Sequence, residues 1–213
     1  GEFRPWLAES WEIGDDHLSY TFTLRDDVTF SNGDPLDAET VKLNFDQHGL
    51  GAEELGIAPD TFWADYAGTD VVDERTLTVR LSKPNAGFLP ILSNYRASSI
   101  LARPFLELDA NGQGQLTNWI GTGPFTVESV DGTTGVTLVR RDDYDWAPEG
   151  AGHDGPAYLE RIVFKTVPEA GTRVAPPPPG APQPAPTRAP HAPCPSAHAR
   201  LRLSALPLSP PRP

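Results

Sequence analysis

The side chains able to do chemistry in this sequence fall into three groups, and their spacing decides what each can do. Three acid pairs, Asp15-Asp16, Asp26-Asp27 and Asp142-Asp143, offer carboxylates for calcium or for proton transfer. Each pair sits beside an expected turn, and no stretch supplies the alternating acids, central Gly and distal Glu of a calcium loop. Turn formation and solvation account for them better. His17, His48 and His153 are scattered, without the His-x-x-x-His spacing that puts two imidazoles on one helical face, and they read as surface histidines. The single cysteine, Cys194, lies near the C-terminal end, so the rest of the chain has no thiol for a disulfide, a metal or a nucleophile. A Gly-x-Ser-x-Gly elbow and a His-Glu-x-x-His helix are both missing from the sequence. Gly121-x-Gly123 runs into Pro124, which has no N–H to give to a phosphate. The expectation is a protein with no enzymatic activity, no metal and no cofactor.

The third group is better suited to holding a ligand than to transforming one. Trp63, Tyr66, Tyr95, Arg96 and Trp119 combine aromatic faces with a guanidinium, a set that serves peptides, sugars and chelates alike. Arg96 stands out because Asn94-Tyr95-Arg96 interrupts two apolar runs, Phe88 to Leu92 and Ile100 to Ala102. The ligand-binding candidates are therefore Arg96, Tyr95, Trp63, Asn94 and Trp119, with core packing the competing role for each.

The elements that must position these residues can be read from periodicity. Leu18, Tyr20, Phe22 and Leu24 alternate with Ser19, Thr21, Thr23 and Arg25, the pattern of a strand with one wet face. Val28 and Phe30 continue the alternation up to Asn32-Gly33, a pair that tolerates positive φ and favours a tight turn. A helix should follow: Asp37 is placed to accept from its first free amides, and Ala38, Val41 and Phe45 share one face. Val71-Val72, the turn Asp73-Glu74 and the alternating Leu77, Val79 and Leu81 predict a second strand pair. Residues 86 to 92 suit a short helix that tolerates Pro90 near its start. Phe125 and Val127, a turn at Asp131-Gly132, and Val136 and Leu138 predict a third pair that ends at Arg140-Arg141, with a further strand through Leu159, Ile162, Phe164 and Val167.

Several of these stretches carry more specific wording than their composition requires. Pro5-Trp6-Leu7-Ala8-Glu9-Ser10-Trp11 is followed by Leu24-Arg25, Val28, Phe30, Gly33, Pro35, Ala38 and Val41; Gly121-Thr122-Gly123-Pro124-Phe125 comes later, then Arg140, Tyr144 and Trp146. In that order they resemble the family 5 solute-binding proteins that feed ABC importers of the oligopeptide, dipeptide and nickel class. The family's "R-x-x-x-Y-W" reads here with Asp145 inserted between Tyr144 and Trp146. The resemblance covers about residues 3 to 174. It implies an α/β fold, part of a two-lobed type II periplasmic-binding architecture with the family's additional domain, and places Arg96 where family members line the cleft between lobes. Trp6 and Trp11 belong to the motif and read as structural.

Composition divides the chain. It has 213 residues with 17 Lys+Arg and 29 Asp+Glu, yet the last 38 residues hold four Arg and no acid, so residues 1–175 carry 13 cations against 29 acids. A body that acidic repels phosphate backbones and anionic lipid surfaces, which disfavours nucleic-acid and membrane-surface partners. Two regions are expected: 1–175, a partial solute-binding domain comprising part of the first lobe and the additional domain, and 176–213, a tail with 14 Pro and 7 Ala. That tail lacks the apolar residues for a core and is expected to be disordered. Its residue types are those of GC-rich codons and it begins mid-motif, which reads as an out-of-frame segment, with a Pro-rich linker as the alternative. No Met is present and no export leader or membrane-spanning run is legible, so the sequence reads as an incomplete piece lacking the second lobe.

The resemblance implies capture of a small solute, above all an oligopeptide or dipeptide, and its delivery to ABC importer permease subunits. Nickel chelates, opines and oligosaccharides are the other solutes it allows. The implied location is the periplasm or the outer face of the cytoplasmic membrane, with membrane contact only through a lipid anchor outside this chain. Three other classes compete. A secreted glycan-binding module or carbohydrate-active protein would show Trp63 and Trp119 coplanar on an exposed sheet. A hydrolase would need two acids converging with separated pKa values. A regulator carrying the same ligand domain would need a helix-turn-helix, and none is present.

Overall fold

A computed structural model describes residues 3–94, 98–132, 135–148, 150–153 and 155–165. The tail region, Val167 and the expected boundary at 175 lie outside these residues, as do Tyr95 and Arg96. The first sheet is antiparallel in the order β1-β2-β4-β3, formed by β1 (Ala8–Ile13), β2 (Ser19–Leu24), β3 (Tyr66–Val71) and β4 (Thr76–Leu81). Tyr20, Phe22 and Leu24 on β2, with Leu77, Val79 and Leu81 on β4, form its buried face, as the alternation requires. Thr21 and Thr78 face each other on the wet side through their hydroxyls, 2.9 Å apart.

Helix α1 (Ala38–Leu50) covers the apolar face. Asp37 caps it, its carboxylate accepting from the Thr40 amide at 2.7 Å, which is worth about 1 kcal/mol at such a site. Ala38, Val41 and Phe45 are buried beneath it. Gly49 brings the last turn against β3 so closely that a Cβ there would overlap the Tyr66 ring. The expected turn forms before the helix: Gly33 takes φ 91° and its N–H donates to the Phe30 carbonyl.

Two local expectations need correction, and one element was not expected. Strand β1 lies within the Pro5 to Ile13 motif, where no strand was expected, and its register with β2 shifts between Ala8 and Ser10. Strand β2 stops at Leu24 and does not run on to Phe30; Arg25 pairs with Asp27 at the bend, and Val28 and Phe30 reach the core from a loop that bridges Thr29 to Pro35. Val72 lies just past the end of β3, in the turn before β4, and is 63% exposed.

The short helix α2 (Phe88–Leu92) follows β4 as expected, and α3 (Arg103–Leu106) and α4 (Ala110–Gln113) precede the second sheet. That sheet orders β5 (Phe125–Asp131), β6 (Gly135–Arg140) and β7 (Arg161–Phe164) antiparallel. Leu159 lies outside β7 and is exposed. The Gly121 to Pro124 segment is the joint between the sheets. The Gly121 carbonyl accepts from Ser31 N–H, the Thr122 carbonyl from Trp146 Nε1 at 2.8 Å, and the Pro124 carbonyl from Arg141 N–H. The Gly121 to Phe125 motif thus meets the loop at Ser31 and the Arg140 to Trp146 motif, with Tyr144 and Trp146 buried.

Candidate functional site

The described residues that flank the Tyr95-Arg96 candidates, up to Asn94 and from Ser98, are held by hydrogen bonds. On the N-terminal side, the Asn94 amide donates to the Ile91 carbonyl at the end of α2, and Ser98 Oγ donates to the Leu92 carbonyl at 2.6 Å and to the Asn94 carbonyl at 3.1 Å. On the C-terminal side, α1 holds the chain. Asn44 is 2% exposed; its Nδ2 donates to the Leu101 carbonyl at 2.8 Å and its Oδ1 accepts from the Leu101 amide at 2.9 Å. His48 Nε2 meets the Ser99 carbonyl at 3.2 Å. A buried amide that satisfies both backbone groups of one residue fixes that residue's position and orientation, because losing either bond strands a desolvated polar group.

Trp63 takes a different place from the one the sequence suggested. It is 1% exposed, with Phe45, His48, Tyr66 and Phe88 around its ring at centroid distances of 4.9, 5.6, 5.4 and 5.5 Å. Its faces are taken up by these rings. The coplanar pair of exposed tryptophans that a glycan-binding module would show is therefore not formed. Tyr66 is buried as well, its hydroxyl donating to Asp46, which also pairs with Lys42, and sharing a hydrogen bond with Thr69. Burial, then the Asp46 contact, pushes its phenol pKa up. Trp119 is 43% exposed, tied by Nε1 to the Gln113 carbonyl at 3.1 Å and edge-on to Phe105. His48, expected at the surface, is half-buried and stacked on Trp63 at 16°.

The paired acids serve turns and arginines. Asp16 accepts from the Leu18 amide, Asp26 pairs with Arg75, Asp27 with Arg25, Asp142 with Arg140 and Asp143 with Arg141. Among the described residues three aspartates have displaced pKa values and all three move down: Asp27 through its Arg25 hydrogen bond, Asp143 through Arg141, and Asp73 through the Arg75 amide. A hydrolytic pair needs one acid raised, and none of these supplies it. Among the described residues no group of three or more His, Cys, Asp or Glu converges, and no helix is long and apolar enough to cross a membrane.

Arg141 was not singled out by the sequence and is the most heavily engaged side chain in the joint. It is 5% exposed and makes five contacts: Thr29 carbonyl 3.0 Å, Thr29 Oγ1 3.0 Å, Phe30 carbonyl 3.1 Å, and both Asp143 oxygens at 3.1 and 2.7 Å. Its guanidinium also lies 5.1 Å from the Trp146 ring centre. The signal available was Arg140-Arg141-Asp142-Asp143, opposite charges two apart at a strand end.

An apolar hollow of about 460 Å³ lies between β1 and the 88–100 segment. Phe22, Leu24, Phe45 and Leu77 line its inner part, Trp6, Trp11, Leu89 and Leu92 line it further, and Arg4, Ser93, Ser98 and Ser99 add polar atoms. A second, of about 440 Å³, runs along α1 beside Asp46, Glu54, Arg103 and Glu107.

The described residues thus form an antiparallel sheet covered by a capped helix and joined to a smaller sheet. Residues 2–176 match the family described as bacterial extracellular solute-binding proteins, family 5 Middle. The chain is 36% identical over 140 residues to the probable D,D-dipeptide-binding periplasmic protein of Escherichia coli, covering 65% of this chain and 26% of that protein. It is 30% identical over 178 residues to the nickel-binding periplasmic protein of the same species, covering 81% and 31%. It superposes on the crystal structure of NikA from Brucella suis, a complex with Fe(III)-EDTA, with a TM-score of 0.61 and 32% identity over 80% of this chain and 32% of that one. The chain thus spans about a third of the length of these relatives. It belongs to the family 5 bacterial extracellular solute-binding proteins, and its α/β fold is part of their larger lobed structure.

Proposed function

We propose that this chain forms part of the substrate-binding component of an ABC importer, one that captures a peptide or a similar small solute outside the cytoplasm and hands it to the membrane permease. The carrying observation is the family match across residues 2–176, with relatives named for D,D-dipeptide, nickel and glutathione binding. The family consists of transport binding proteins, and on this reading the chain holds its solute without altering it. On this reading Arg96, with Asn94 and Tyr95, anchors an anionic or carbonyl group of that solute, and of the other two candidates the half-exposed Trp119 is better placed for contact than the buried Trp63. Support comes from the two fastened flanks, since a binding arginine is effective only on a backbone that does not move away from it.

Calorimetric titration of the gene-length protein against dipeptides, glutathione and a nickel–histidine chelate tests the proposal. One class should bind saturably. Arg96→Ala should weaken that binding by about 1.5 to 3 kcal/mol, the range for a hydrogen bond to a charged group, and leave the unliganded melting temperature unchanged. No binding by any of the three classes overturns the reading of function. Unchanged affinity in the variant, or a large loss of apo stability, overturns the site.

A further inference from the structure

We draw no further inference here: the strongest candidate, the apolar hollow of about 460 Å³ between β1 and the 88–100 segment, is lined by side chains of the core, and nothing in the structure shows what covers it.

Discussion

Replacing Arg141 with Met should be among the most damaging single changes in the described structure. Its guanidinium is 5% exposed and satisfies the carbonyls of Thr29 and Phe30, which belong to the loop ahead of α1, while its own backbone continues from β6. Methionine fills much of the volume but offers no donor. Breaking a buried ionic contact by removing one partner costs about 3 to 5 kcal/mol. Two features of the site place the cost near the lower end: Asp143 is 62% exposed and can be rehydrated, and the Phe30 carbonyl keeps the Gly33 amide as a second donor. The expected loss is about 3 kcal/mol, or about 6 to 12 °C in melting temperature for a domain of this size. Urea unfolding followed by tryptophan fluorescence, with the slope checked for equality with the parent, reads it directly. Asp143→Asn is the control. It keeps the carbonyl contacts of Arg141 and should cost about 1 kcal/mol or less, as solvent-exposed ion pairs do. A loss below about 1 kcal/mol for Arg141→Met, or equal losses for both variants, would mean that the Asp143 pair and not the carbonyl clamp is what Arg141 supplies, and the argument would fail.

The other predictions concern the fastening of the candidate segment and the response to pH. Asn44→Leu removes the partner of both Leu101 backbone groups and should destabilise by about 2 to 4 kcal/mol in denaturant unfolding, whereas Asn44→Asp, which keeps the acceptor for the Leu101 amide, should cost less near neutral pH. Gly49→Ala forces a methyl into the Tyr66 ring and should cost about 1 to 3 kcal/mol despite the better helix propensity of alanine; a stabilised variant would contradict the close approach of α1 and β3. The depressed carboxylates Asp27 and Asp143 bind fewer protons folded than unfolded, so the stability they give is present above the unfolded value near 3.8 and is lost as pH falls through their folded values. Arg141→Met should flatten part of that acid limb. Tyr66 has the opposite sign: its raised phenol favours the folded state below pH 10.0, and stability should fall above it, less so in Tyr66→Phe.

Much of this molecule was legible in one dimension because the information was local and periodic. Alternation at Tyr20, Phe22 and Leu24 fixes which face of β2 is buried, since side chains two apart share a face whatever covers them. Asp37 announces the start of α1 because the free amides it caps lie within three residues. The motif wording named the family for the same reason, as a string of residues in order. Tertiary structure alone decided the rest. Trp63 and Trp119 look alike as exposed-or-buried candidates, yet one is 1% exposed and the other 43%, an outcome set by Phe45 and Phe88, both distant from Trp63 in sequence. His48 reads as a surface residue until Trp63 stacks on it and residue 99 returns to its ring. Arg141 reads as one of two adjacent strand-end charges, and only the loop 112 positions earlier gives it a buried role. A side chain's periodicity is a property of its own segment, whereas its burial belongs to whichever segments come to cover it, and that is fixed only when distant parts of the chain meet.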